Sequence, residues 1–185
     1  MAGIAESAVA EMVERARAAW RAWGRLLAGD PAVRAKAAEL SALAADNQRA
    51  FARAGVYEIC AACAAEDSGS CCQEGIERHF HWQHLLINLL LGGELPPARQ
   101  VPGQCFFNGP RGCLLRAKFS ICLNHFCPRL RRALGEGPCE ELVRRASREI
   151  WAGYELENAM RAALRRQGLD WESPAPPRVK PAEQA

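Results

Sequence analysis

Hydrophobic residues near the start of the chain recur at steps of three and four. The recurring positions are Val9, Met12, Val13, Ala16, Trp20, Trp23 and Leu27. Such spacing places apolar side chains along one side of a helix and leaves polar residues on the other. The pattern predicts an amphipathic helix over residues 5–28.

The motif Gly29-Asp30-Pro31 predicts the end of this helix and the start of another. Glycine can close a helix, aspartate can cap the next one, and proline suits a first helical turn. A second, alanine-rich helix is therefore expected over 31–53, ending near Gly55. Together the two helices predict an N-terminal helical hairpin over residues 1–55.

The pattern changes over residues 56–135, where cysteine, glycine and proline separate short segments. Within this region only 75–91 has sustained helical character, and it runs into Gly92-Gly93. Helical periodicity returns over 138–167.

The resulting fold class is mainly α. It consists of the N-terminal helical hairpin, an irregular cysteine-rich metal-binding core (56–135) with one internal helix, and a long C-terminal helix (136–170) that packs on the core. Residues 171–185 are polar and rich in proline, which predicts a disordered tail.

Charge and hydropathy exclude two classes of partner. A formal net charge of +3 over 185 residues does not favour nucleic acid as a partner. The longest apolar run, Leu85–Leu91, is far shorter than the roughly 20 residues that a membrane-spanning helix needs. Acidic residues interrupt the first fifteen positions, so no secretory leader is predicted and the cytoplasm is the expected location.

Nine cysteines in a chain expected in a reducing compartment are unusual. Eight fall into two blocks: Cys60, Cys63, Cys71 and Cys72, then Cys105, Cys113, Cys122 and Cys127. Cys139 stands apart, near the expected start of the last helix. An odd number suits a disulfide framework poorly.

Clustered thiols predict a metal centre, because thiolate is the soft ligand that selects zinc or iron–sulfur clusters. Two cysteines three positions apart can bind one ion. A centre with ligands from both blocks would join distant segments, and a structural zinc ion contributes roughly 10–16 kcal/mol in small peptides. The alternatives are cysteines buried as apolar residues or disulfides. The adjacent pair Cys71-Cys72 could serve one polynuclear centre or two sites, or one of the two could simply be packed.

The order of these cysteines and their neighbours resembles the CxxCxxCC family, a YkgJ-type domain thought to chelate zinc or iron. The segment "CFFNGPRGC" (105–113) is similar to the opening of the family's second block, and "CLNHFC" (122–127) to its closing pair. The resemblance covers about residues 60–130 and implies that all eight clustered cysteines bind metal. Two features depart from the family: seven residues separate Cys63 from Cys71, and Arg-Pro is missing before Cys122.

An iron–sulfur centre is the preferred cofactor and zinc the alternative, since adjacent cysteines and more than four thiols suit a polynuclear centre. The centre would have a structural or electron-transfer role, with a redox partner or another protein as the partner. Some relatives within the family, the flagellin lysine N-methylases, are enzymes that look dependent on an iron–sulfur centre, so the resemblance implies as an alternative a cluster-dependent modifying enzyme similar to a protein lysine N-methylase, with catalytic residues unknown. The other alternative is a purely structural zinc module that mediates protein interaction.

The four histidines and Cys139 are further candidates. His79, His81 and His84 lie close together in 75–91, and His125 lies between two cysteines. Each could bind metal, although a supporting role or an exposed position is the simpler interpretation. Cys139 could be a reactive thiol near a helix N-terminus or an ordinary packed cysteine.

Overall fold

The computed structural model describes residues 2–65 and 71–172, with side chains from residue 7 onward. Helices dominate this part of the chain, which confirms the prediction of a mainly α fold. Among the described helices, none combines the length and the apolar character needed to cross a membrane.

The N-terminal hairpin forms as the sequence predicts. Helix α1 covers Ala2–Gly29 and helix α2 covers Pro31–Arg53. The carboxylate of Asp30 caps α2 by accepting hydrogen bonds from the backbone amides of residues 32 and 33 at 3.0 and 3.1 Å. Beyond α2 the chain turns at Gly55, whose φ of 74° is a conformation that favours glycine.

The long C-terminal helix is also present, as α7 (Glu136–Arg166). It packs against α2 in the antiparallel sense, because Lys36 pairs with Glu155 at 2.9 Å while Asn47 bonds to Glu149 at 2.6 Å. Both Asn47 and Glu149 are buried, so a polar contact is fixed inside this helix pair.

The region 56–135 contains more helix than the single internal helix that the sequence predicts, and that prediction is wrong. Its elements are α3 (Val56–Ala64), a 3₁₀ turn (Ile76–His79), α4 (Trp82–Leu90), the hairpin β1 (Asn108–Gly109) and β2 (Gly112–Cys113), α5 (Ser120–Asn124) and α6 (Pro128–Leu134). Elements this short are set by tertiary contacts more than by periodicity.

The helix predicted over 75–91 is interrupted at Phe80 and His81, which both have extended backbones. The ring of Phe80 stacks on Phe119 with centroids 3.7 Å apart and also lies against Phe107. Burial of this ring favours a break that helical periodicity does not reveal.

The largest hydrophobic cluster contains residues of α1, α2, α4 and α7 together with the loop from 95 to 119. Trp23 lies at its centre, and the ring of Trp171 stacks on it with centroids 6.2 Å apart. Because Trp171 is buried, the predicted tail of 171–185 begins too early. The remaining tail, 173–185, lies outside the described residues.

A second, smaller cluster joins the end of α2 to α3, α6 and the first half of α7. Phe51 and Phe126 meet there with ring centroids 5.9 Å apart. Cys60 and Cys127 pack against the edge of this cluster, so it supports two of the predicted ligands.

Candidate metal centre

Short elements carry the eight clustered cysteines. Helix α3 holds Cys60 and Cys63 one turn apart, hence on one face. The remaining six follow in chain order: the pair Cys71-Cys72, then Cys105, Cys113 in β2, Cys122 in α5, and Cys127 at the N-cap of α6. All nine cysteines lie in the described part of the chain, and none of them forms a disulfide.

Backbone hydrogen bonds join the two blocks of the sequence. The amide of Cys105 donates to the carbonyl of Cys72 at 2.7 Å, and Gln73 forms an antiparallel bridge with Gln104. The amide of Glu74 also donates to the carbonyl of residue 103, at 2.9 Å. The sulfur-bearing segments around 72 and 105 are therefore adjacent before any side chain is considered.

A buried ion pair holds this contact in place. Arg99 donates to the carboxylate of Glu77 at 2.8 Å, and their side chains are 11% and 2% exposed. Arg99 also donates to the carbonyl of Gln104, while Glu77 accepts the amide of Gly75 at 2.9 Å. The pair thus ties the chain after Cys72 to the chain before Cys105.

Electrostatics identify a first set of neighbouring thiols. Burial raises the pKa of Cys60, and repulsion from negative charge at Cys71, Cys127 and Cys63 raises it further. Because such repulsion weakens with distance, Cys71, Cys127 and Cys63 each lie near Cys60. The set combines two cysteines of α3 with Cys71 and with the N-cap residue of α6.

A second set surrounds Cys72. A hydrogen bond from the Cys71 thiol lowers the pKa of Cys72, while burial and the negative charges at Cys122, Cys113 and Cys105 oppose that effect. Burial raises the pKa of Cys105 and of Cys122 to about 12, and each is also raised by Cys113. The two sets meet at Cys71-Cys72, because Cys71 acts on Cys60 of the first set and also raises the pKa of Cys122 in the second.

Half of the clustered thiols are not packed like core residues. Cys71, Cys72, Cys113 and Cys122 are exposed, and of the eight only Cys105 is buried. Desolvation by the surrounding protein nevertheless raises the pKa of Cys113 and Cys122. The exposure of these four thiols argues against the interpretation of them as residues buried for their apolar character.

Backbone amides point at several of the sulfurs. The amides two residues further along donate to Cys105 and Cys113 and act to lower their pKa, against the larger effect of burial. The amide of Leu130 donates to the sulfur of Cys127 at 3.4 Å. Hydrogen bonds of this kind stabilise negative charge on sulfur, and they tune the reduction potential of bound iron–sulfur clusters.

The sulfurs are near one another, but they do not yet surround a common metal position. Within 2–65 and 71–172, no three Cys, His, Asp or Glu side chains already have the arrangement that an ion requires. Metal–sulfur bonds of about 2.3 Å need closer contact than protonated thiols adopt, and thiolate sites seldom form fully before binding. The donor set, its grouping and its amide contacts fit a thiolate centre that closes when metal binds.

The histidines have separate surroundings. The Nε2–H of His84 donates to the carbonyl of Ala117 at 2.9 Å, and burial lowers the pKa of His84 to about 4. The ring of His81 meets Phe119 edge-on, and His79 and His125 are exposed. The bond to Ala117 gives His84 a structural role, in line with the simpler interpretation of its position.

Cys139 is fully buried in the second cluster, and burial raises its pKa. A raised pKa disfavours the thiolate, so the interpretation as a packed cysteine fits and the reactive one does not. The aromatic residues near the thiols are core residues too: Phe80, Trp82, Phe106, Phe107, Phe119 and Phe126 are all buried.

Sequence patterns do not reveal three residues of the structure around Lys118. Lys118 lies between Cys113 and Cys122 in the chain, and its ammonium donates to the hydroxyl of Tyr57 at 3.1 Å. Glu149, a buried residue of α7, accepts a hydrogen bond from the backbone amide of Lys118. A single lysine or glutamate forms no recognisable sequence motif, so only the folded structure reveals the contacts of these residues.

No protein-family model, no curated protein and no solved structure matches this chain. The resemblance to the CxxCxxCC family therefore stays a prediction based on cysteine order and the residues around it.

Proposed function

We propose that this protein binds metal through its eight clustered cysteines, as an iron–sulfur protein with a structural or electron-transfer role. The ligand positions are Cys60, Cys63, Cys71 and Cys127 in one set and Cys72, Cys105, Cys113 and Cys122 in the other. When bound, an iron–sulfur centre would supply one-electron chemistry and would cross-link the short elements between 56 and 135.

The observation that carries the proposal is the mutual electrostatic influence of thiols from both blocks. Cys60 responds to Cys71 and Cys127, and Cys72 responds to Cys113 and Cys122. Such closeness is unfavourable for ionised thiols on their own, because like charges repel. A cation or cluster that binds thiolates removes that cost, which explains why a chain would gather reactive groups at an open site.

Solvent access supports an electron-transfer role. Four of the eight sulfurs are exposed, so a centre held by them would lie near the surface. A redox partner could approach such a centre closely. A partner protein of this kind and a cytoplasmic location complete the proposal.

The division into two sets of four favours zinc as the second candidate. Four thiolates are the ligand set of a closed structural zinc site, and each set here has that number. A zinc protein would use the same residues, but it would have no redox role and would present its helices to a partner.

Metal analysis of anaerobically purified protein tests the proposal. Iron, zinc and acid-labile sulfide are measured per chain, and the absorption spectrum is recorded before and after reduction. Iron with sulfide and a broad visible absorption that reduction bleaches is the expected result. Colourless protein with about two zinc ions would replace iron with zinc, and protein without stoichiometric metal would refute the proposal.

A further inference from the structure

The loop between Cys113 and Cys122 places a lysine beside both sets of thiols. Lys118 follows Cys113 by five positions and precedes Cys122 by four. Its ammonium lies 3.1 Å from the Tyr57 hydroxyl and 4.8 Å from the centre of the Tyr57 ring. Tyr57 precedes Cys60 by three positions in α3, so the two share a face of that helix.

The backbone at Lys118 is anchored from behind. Its amide donates to the carboxylate of Glu149, a buried residue of α7. That carboxylate also accepts a hydrogen bond from Asn47 of α2 at 2.6 Å. The preceding residue, Ala117, exchanges two hydrogen bonds with the buried side-chain amide of Asn88, both at 3.1 Å. These contacts fix the backbone of Lys118, and the contact with Tyr57 fixes its ammonium group.

The positive charge of Lys118 acts on thiols of both sets. It lowers the pKa of Cys60 in the first set and those of Cys113 and Cys122 in the second, in each case against the larger effect of burial. Desolvation disfavours the ammonium, but the negative groups at Tyr57, Cys113 and Glu149 outweigh it and raise the pKa of Lys118. The lysine therefore stays charged at neutral pH.

We infer that Lys118 is a positioning residue whose fixed positive charge compensates the negative charge of the thiolate centres and tunes their metal affinity and reduction potential. The inference rests on the proposed function. Four thiolates carry more negative charge than a divalent ion cancels, so each loaded set is anionic and attracts a nearby cation. Tyr57 holds the ammonium at the helix that carries Cys60, while the backbone of Lys118 lies in the loop between Cys113 and Cys122, so a single lysine can serve both sets.

The test compares wild type with Lys118→Met, which removes the charge at similar length, and with Lys118→Arg, which keeps it. Cobalt(II) is the probe, because thiolate ligation gives it strong absorption bands, and its dissociation constant is measured by competition with a chelator. We expect Lys118→Met to weaken cobalt binding about 10- to 100-fold, the range for lost outer contacts of metal ligands. Lys118→Arg should stay near wild type.

A second measurement distinguishes the effect of the lost charge from an effect on folding. The midpoint potential of reconstituted iron–sulfur protein should become more negative in Lys118→Met, because loss of a nearby positive charge disfavours the reduced, more negative state. Circular dichroism of the metal-free variants controls for folding. Equal affinity and potential in wild type and Lys118→Met would overturn the inference and leave the proposed function standing.

Two further results are decisive. Equal losses in Lys118→Arg and Lys118→Met would show that side-chain shape, not charge, matters, and would also overturn the inference. Wild-type protein that binds neither cobalt nor iron would refute the proposed function itself, and the role of Lys118 with it.

Discussion

Cysteines with the same chemistry have opposite surroundings in this protein. Cys122 is exposed and close to other thiols, whereas Cys139 is fully buried among hydrocarbon. Sequence spacing separated the two, because Cys139 stands outside both blocks. Sequence spacing could not assign the other eight cysteines to sets, since that grouping depends on the directions in which the side chains of Cys71 and Cys72 point.

The contrast between these cysteines predicts opposite effects of substitution. Cys122→Ala should lose the metal of its own set, because one of four thiolate ligands is gone. Cys139→Ala should keep full metal content and lower the free energy of unfolding by about 1 kcal/mol, through loss of buried volume. Metal per chain by mass spectrometry, with urea unfolding, checks both. Equal metal loss in the two variants would contradict the assignment.

His84 predicts a pH dependence of stability. Its pKa falls from 6.5 to about 4 on folding, so the neutral form is favoured in the native state. Above pH 6.5 both states are neutral there and stability is unaffected. As pH falls from 6.5 towards 4, the unfolded state takes up the proton first, and stability decreases by at most about 3 kcal/mol.

His84→Gln is the matched control, since its amide can still donate to the carbonyl of Ala117. Urea unfolding between pH 7 and 4 should show a smaller loss of stability in this variant than in wild type. Parallel curves for the two proteins would show that His84 is not the group responsible.

At the scale of elements, the long helices were predictable and the short ones were not. Helices α1, α2 and α7 repeat apolar residues over 28, 23 and 31 residues, which periodicity detects well. Helices α3, α5 and α6 have 9, 5 and 7 residues and little periodic signal. Their positions depend on contacts such as Phe51 with Phe126, which lie far apart in sequence.

The backbone hydrogen bonds that join 72–74 to 103–105 should depend on the ion pair of Arg99 with Glu77. Glu77→Gln leaves a buried guanidinium facing a neutral amide and should lower the free energy of unfolding by roughly 3 kcal/mol. Glu74→Gln is the control, since Glu74 is 3.7 Å from Arg99 and 37% exposed. It should cost less than about 1 kcal/mol.

Urea unfolding of the metal-free variants measures both changes. Metal affinity should also fall in Glu77→Gln, because the segments that carry Cys72 and Cys105 lose their register. A stability loss in Glu74→Gln equal to that of Glu77→Gln would contradict the role given to the buried pair.

At the scale of the whole molecule, two hydrophobic clusters stabilise different parts of the fold. The larger one, around Trp23, holds α1, α4 and α7 together, and Cys105 is the one proposed ligand among its buried residues. The smaller one lies beneath Cys60 and Cys127. Metal should therefore order the cysteine-bearing segments, while the main helices are stable without it.

Hydrogen exchange before and after metal removal checks this division. Amides around the bridge between Gln73 and Gln104, in α5 and in α6 should lose protection when a chelator strips the metal. Amides in α1, in α4 and in the second half of α7 should keep theirs, because hydrophobic burial holds them. Uniform loss across all helices would show that the two clusters are not independent of the metal.

X-ray absorption at the metal edge of the anaerobically purified protein tests the central claim most directly, because it counts the atoms bound to the metal. The account predicts a first shell made of sulfur, contributed by cysteines from both blocks, that is lost when Cys60 and Cys122 are both replaced by alanine. A first shell of nitrogen and oxygen, or a sulfur shell that survives the double substitution, would contradict it.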